Sequence, residues 1–269
     1  MIGKIHNESC IATMKKMISE GIQVQATITS PPYDNLRTYK DDVDKSWGEH
    51  VWKPIIQNLY DVTADGGVVV WVVGDAVIKG SETGSSFRQA LYAMECGFRL
   101  HDTMLYEKNS SAFPARRDGN RYTQIFEYMF IWSKGAPKAN LICDKKNKWA
   151  GHTSWGERSY YNKEGDKVKS NIKPIPEFSP RNNSWKYNTG KGFSSKEKLN
   201  HPAIFPEKLA EDHILTWSDE GDVIYDPFMG SGTTAKMSIL NNRKWIGSEI
   251  SSEFKDEADS RLKNIIKID

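Results

Sequence analysis

The chain has 269 residues, 38% of them hydrophobic and 11% aromatic, enough for one large packed domain or one domain carrying an insertion. No apolar run approaches the ~20 residues of a membrane span, Met1-Ile2-Gly3-Lys4-Ile5-His6 has no signal-peptide core, and Cys10, Cys96 and Cys143 form neither a disulfide framework nor a zinc spacing; a cytoplasmic, metal-free protein is expected. The net charge of +2 is unevenly spread: residues 136–200 hold fourteen Lys or Arg against six Asp or Glu, a local +8 that leaves −6 for the rest, as expected where one segment meets phosphate.

Lys4-Ile5-His6 reads as a short strand, Ile11 to Glu20 as a helix ended by Gly21, and Val24 to Thr29 as a buried strand. That strand runs into Ser30-Pro31-Pro32-Tyr33. Two consecutive prolines have fixed φ and no N–H, so the chain there is stiff and its carbonyls are free to accept hydrogen bonds. Pro-Pro-Tyr also occurs in linkers and short recognition motifs. Asp34 to Tyr39 is polar and reads as a candidate lid; within it Arg37 is placed to reach a phosphate or stands as an ordinary exposed arginine. Val51 to Val62 has helical spacing, and Gly66-Gly67 opens Val68 to Val73, an all-apolar run that fits a central strand covered on both faces. Asp75 at its end reads either as substrate-facing or as a cap. Phe87 to Glu95 is a further helix, closed by Gly97. Asp102 to Lys108 and Glu127 to Trp132 read as two strands, and the loop between them carries Arg116, Arg117 and Arg121, which suit a nucleic-acid backbone or a solvated connection.

Residues 136 to 200 are rich in Lys, Asn, Ser and Gly and carry Trp149, Trp155, Tyr160, Tyr161, Trp185 and Tyr187. Basic residues interleaved with aromatics suit a nucleic-acid surface; the other reading is an insertion whose rings anchor it to the body. His201-Pro202-Ala203-Ile204-Phe205-Pro206 leads into a helix over Glu207 to Trp217. Val223-Ile224-Tyr225 then ends a short buried strand, Asp226-Pro227-Phe228-Met229-Gly230-Ser231-Gly232-Thr233-Thr234 follows, and Ala235 to Leu240 reads as a helix. In such a strand–turn–helix the first glycine permits the turn and the second removes a side chain that would block a ligand. Lys244 to Glu249 reads as a strand ending in an acid placed to accept both hydroxyls of a ribose. Asp226 before the turn would repel a pyrophosphate but pair with a cationic amino acid group. Only twenty residues follow Glu249, among them an amphipathic helix over Ser251 to Ile266, so the remaining strands must come from earlier in the chain, in a permuted order.

Asp226 to Thr234 resembles the S-adenosylmethionine motif of the amino-group DNA methyltransferases, and Thr29-Ser30-Pro31-Pro32-Tyr33 resembles their catalytic tetrapeptide with its preceding residue. The tetrapeptide comes first, roughly 195 residues before the glycine motif, which is the order of their beta group. The resemblance implies an α/β, Rossmann-like S-adenosylmethionine-dependent methyltransferase fold with a mixed, mostly parallel sheet in permuted order. Residues 1–135 would form the catalytic half, 136–200 a basic target-recognition insertion and 201–269 the cofactor half. It further implies methyl transfer from S-adenosylmethionine to the exocyclic amine of a base flipped from double-stranded DNA. Ser30 and the Pro31 carbonyl would each accept one amine hydrogen, drawing the nitrogen toward a tetrahedral shape; Pro32 would stiffen the turn and Tyr33 would stack on the base. Asp226 would face the methionine amine. The Gly230-Ser231-Gly232-Thr233 turn would cradle the amino acid, with Pro227, Phe228 and Thr234 also binding the cofactor, Glu249 would hold the ribose, and Phe205 and Pro206 would line the methionine end. Arg37, Arg116, Arg117 and Arg121 are the candidate DNA contacts. Serine in the first tetrapeptide position leans to cytosine N4, whereas Asp or Asn accompanies adenine N6, although a neutral acceptor could serve either base. An acid just after the first strand often touches the adenine in the family; Ser9 stands at that position, with Asn7 and Glu8 nearby, and departs from the pattern. A homodimer, a separate restriction endonuclease and a bacterial or phage-infected cell complete the implied setting.

None of the three cysteines follows a proline, which argues against attack at cytosine carbon 5; no Gly-Lys-Ser/Thr follows the glycine turn, so there is no P-loop. Gly230-x-Gly232-x-x-Ala235 with Glu249 also fits the loose dinucleotide fingerprint. A nicotinamide-dependent oxidoreductase and an inactive DNA-binding homologue are therefore the alternatives.

Overall fold

The computed structural model describes residues 1–32, 47–109, 122–153, 159–169, 173–188 and 205–266. The chain divides into two compact units, one of Met1–Asn140 with Asn183–Asp269, the other of Leu141–Asn182. The first half of the larger unit runs β1 (Lys4–His6), α1 (Cys10–Ser19), β2 (Val24–Thr29), α2 (Glu49–Val62), β3 (Thr63–Val73), a small hairpin of β4 (Val77–Ile78) and β5 (Ser81–Glu82), α3 (Ser85–Glu95), β6 (Arg99–Lys108) and β7 (Phe126–Ser133). The smaller unit holds β8 (Lys145–Lys146), β9 (Ser159–Tyr161), β10 (Lys167–Lys169) and β11 (Phe178–Ser179). The larger unit then resumes with β12 (Ser184–Tyr187), α4 (Glu207–Trp217), β13 (Val223–Asp226), α5 (Thr233–Leu240), β14 (Lys244–Ser248) and α6 (Ser252–Ile266).

Eight strands form one sheet in the order β1-β14-β13-β2-β3-β7-β6-β12. Neighbours are parallel except at β7, which runs antiparallel to both β3 and β6. The sheet is thus mixed and mostly parallel, and strands from the end of the chain sit beside strands from its beginning. Val68 to Val73 in β3 are almost wholly inaccessible. Val69, Trp71 and Val73 pack into a core with Met14 and Met17 of α1, Ile56 and Leu59 of α2 and Ala93 of α3. Burial on both faces is why this strand is apolar throughout rather than alternating.

Parallel strands point their carboxyl ends the same way. Glu249 follows β14, Asp226 ends β13, Ser30 follows β2 and Gly74-Asp75 follow β3, so the order β14-β13-β2-β3 brings these residues to one end of the sheet, where open α/β sheets bind ligands. In β12, Trp185 and Tyr187 are buried while Ser184 and Lys186 are exposed. These two rings serve the sheet and are not available to a nucleic acid, whereas Trp149, Tyr160 and Tyr161 of the smaller unit are exposed. That unit pairs β9 with β10 and β8 with β11, both antiparallel, and Arg181 grips Asp144 within it at 2.5 Å. Among the described residues no helix is long and apolar enough to cross a membrane, and no group of three or more His, Cys, Asp or Glu is placed to hold a metal.

Candidate active site

Asp226 is the centre of the arrangement. Its side chain is 5% exposed. Oδ1 accepts from the Thr29 hydroxyl at 2.7 Å and from the Phe228 N–H at 3.0 Å, and Oδ2 accepts from the Thr234 hydroxyl at 2.7 Å. One carboxylate therefore joins the end of β2, the entry to the glycine turn and the first turn of α5. Burial pushes its pKa up to about 6 against the pull of these three donors, with Glu249 adding repulsion of like sign. Glu249 accepts from the N–H of Gly230 at 2.8 Å and of Ser251 at 2.9 Å, and burial raises its pKa as well. Asn7 donates to the carbonyls of Glu249 and Ile250, fixing the tip of β14 from the loop after β1.

The glycine turn has two residues in the left-handed region, Gly230 at φ 50° and Gly232 at φ 78°. The room at Gly232 is taken by protein: a Cβ there would lie 3.1 Å from the Cβ of Ala258 in α6. The expectation that the second glycine clears a path for a ligand is corrected by this contact, since its bareness lets α6 close on the turn. Gly247 is also demanded by packing, because a Cβ would fall 2.3 Å from Met229 Cε. Pro227, Gly230, Ser231, Thr233 and Thr234 are buried and Phe228 is half-buried, its ring edge-on to Trp47 and Trp71. Phe205 is half-buried and Pro206, buried, caps α4.

Ser30 is half-buried, Pro31 buried and Pro32 half-buried, directly beyond the strand end that Asp226 anchors. Tyr33, Arg37, Arg116, Arg117, Arg121 and His201 lie outside the described residues. Asp75 is a cap: it accepts from the N–H of Ser86 at 2.9 Å and from the hydroxyls of Ser85 and Ser86, holding the start of α3. Ser9 caps α1 by accepting from the Ile11 N–H, and Glu8 pairs with Lys16. Arg261, Glu207 and Lys236 form a polar cluster around the glycine turn that no motif announces. A separate cavity of about 350 Å³ lies among Gln25, Asp65, Lys138, Trp217 and Asp222, where β2, β3 and β13 begin, away from these residues.

Asp226, buried, and Glu249, half-buried, repel each other at the glycine turn, a pairing that suits a ligand carrying positive charge. The chain is 56% identical over 259 residues to the orphan methyltransferase M.BamHII of Bacillus amyloliquefaciens, covering 94% of this chain and 93% of that one. It resembles the crystal structure of the M1.HpyAVI–SAM complex with a TM-score of 0.62 at 22% identity, over 96% of this chain and 99% of that one. It also resembles the PvuII DNA methyltransferase (cytosine-N4-specific) with a TM-score of 0.68 at 18% identity, over 97% and 90% of the two chains. The profile of the N6/N4 methyltransferases, described as DNA methylase, matches residues 24–260. The chain belongs to the N6/N4 DNA methylase family.

Proposed function

We propose that this chain methylates the N4 amine of cytosine in double-stranded DNA, with S-adenosylmethionine as methyl donor. The observation that carries the proposal is the Thr29–Asp226 hydrogen bond, which joins the Ser30-Pro31-Pro32 segment to the glycine turn across 197 residues of sequence. Asp226 would hold the donor's ammonium and Glu249 its ribose hydroxyls, with the Gly230 to Thr233 turn around the amino acid, Phe228 and Thr234 beside it, and Phe205 and Pro206 lining the methionine end. When bound, this cofactor supplies a methyl group on a cationic sulfur.

The chain's own part is positioning. The amine of a base is a poor nucleophile because its lone pair is delocalised into the ring. Ser30 Oγ and the Pro31 carbonyl are suited to accept its two hydrogens, which frees the lone pair; the two prolines keep these acceptors from drifting. Positioning of this kind lowers a barrier by several kcal/mol without covalent chemistry. Tyr33 would stack on the flipped base, and Arg37, Arg116, Arg117 and Arg121 would meet phosphates, with the exposed Trp149, Tyr160 and Tyr161 of the smaller unit contributing to target recognition. Serine at position 30 supports cytosine N4; the family's span of both amines supports adenine N6 as the second reading. A nicotinamide-dependent oxidoreductase finds no support in these comparisons.

The test is methyl transfer to plasmid DNA with labelled S-adenosylmethionine, followed by nucleoside digestion and mass spectrometry. N4-methylcytosine is expected, and Ser30→Ala should lower turnover by about 10²-fold or more, as loss of a positioned hydrogen-bonding group does. N6-methyladenine in its place would overturn the choice of base.

A further inference from the structure

We infer that Arg261 is a positioning residue that sets the shape of the cofactor turn from behind; the inference rests on the reading of that turn as the S-adenosylmethionine site. Arg261 lies on α6, outside both motifs, and its side chain is 2% exposed. Nη1 donates to the Ser231 carbonyl at 2.8 Å and to Thr233 Oγ1 at 3.1 Å, and Nη2 donates to Glu207 Oε1 at 2.6 Å. The same Glu207 oxygen accepts from Lys236 of α5 at 2.9 Å. Glu207 is the first residue of α4, immediately after Phe205-Pro206. One guanidinium thus ties together the two segments assigned to the methionine part of the cofactor.

The position of Ser231 gives the contact its significance. It sits between two glycines with positive φ, where the peptide planes have the widest choice of orientation. Fixing the Ser231 carbonyl fixes the plane of the Ser231–Gly232 peptide, whose N–H donates to the Met229 carbonyl at 2.9 Å and closes the turn. Ala258, one turn earlier on α6, closes against Gly232, so α6 holds the turn by a packing contact and a charged hydrogen bond together. A buried ion pair is a poor way to gain stability alone, since an apolar replacement of similar volume is often as good. Donors aimed at a turn carbonyl and a carboxylate at once suit a planar guanidinium and not a single ammonium.

The experiment compares wild type, Arg261→Met, Arg261→Lys and Glu207→Gln as full chains, measuring S-adenosylmethionine and S-adenosylhomocysteine binding by calorimetry, thermal melting, and steady-state methyl transfer to DNA. Arg261→Met should raise the Kd for both ligands about tenfold or more, the size expected for lost charged hydrogen bonds. It should raise the cofactor KM in step while kcat at saturating cofactor stays within about twofold. Arg261→Lys should recover part of the loss, and Glu207→Gln should show the same split to a smaller degree. Arg261→Met that melts cooperatively and binds within about twofold of wild type would overturn the inference. If Arg261→Met does not fold, an unchanged Kd in Glu207→Gln overturns it equally. Wild type that binds neither ligand would instead overturn the reading of the site, and the inference with it.

Discussion

Thr29 differs from valine by a hydroxyl in place of a methyl, and that hydroxyl reaches Asp226 from the buried end of β2. Thr29→Val keeps the volume and removes a donor from a desolvated carboxylate, so it should cost about 1–3 kcal/mol in urea unfolding and slow methyl transfer, with Thr29→Ser restoring both. Asp226 also sets a pH dependence whose sign can be worked out. Burial lifts its pKa from 3.8 to about 6, so the native state holds this proton more tightly than the unfolded chain does. The associated stability is present below about pH 4 and is lost as pH rises through about 6. A cationic ligand selects the ionised form and acts in the opposite sense. Calorimetry should therefore find S-adenosylmethionine binding weakening as pH falls through about 6, while Asp226→Asn binds weakly at every pH; a wild-type affinity that is flat from pH 5 to 8 would remove Asp226 from the ammonium site. Asp226 and Ser30 were legible because a motif fixes residue type and spacing together. Arg261 was not, since a lone arginine on an amphipathic helix reads as solvated. Its one trace is the company of Ala258 and Leu262, both buried on the same helix.

Most elements could be read from the sequence because their burial follows their period. β2 and α4 occupy the expected Val24–Thr29 and Glu207–Trp217, and β3 extends the apolar run back to Thr63. β12 was missed for a physical reason. Its alternation spans four residues, with Trp185 and Tyr187 inward and Ser184 and Lys186 outward, and it lies in a stretch whose lysines and asparagines hide so short a pattern. The glycine turn shows a different limit. Its backbone freedom was legible, but its packing was not, because Ala258 comes from a helix more than one element away in sequence. Gly232→Ala should force the left-handed region and press on Ala258, lowering stability by roughly 1–2 kcal/mol or more. A denaturation curve unchanged from wild type would mean that α6 shifts away at no cost.

The two units invite separate tests. Replacing Leu141–Asn182 with a flexible glycine–serine linker should leave S-adenosylmethionine binding intact and abolish DNA methylation, if recognition resides in the smaller unit as proposed; retained sequence-specific methylation would move recognition to the larger one. The sheet order carries one more consequence, for synthesis rather than catalysis. β1 pairs with β14, Lys4 opposite Ile246, and β2 receives β13 on one of its sides, Ala26 opposite Ile224. At ~5–20 residues per second, the 197 residues between Thr29 and Asp226 take about 10–40 s to emerge. Throughout that interval a strand made of Val24-Gln25-Ala26-Thr27-Ile28-Thr29 has one edge bare, and bare edges pair with whatever strand is nearest. The nascent chain is thus exposed to aggregation for most of its translation, and its yield should respond to chaperone supply and to slower, cooler expression more than its final stability would suggest.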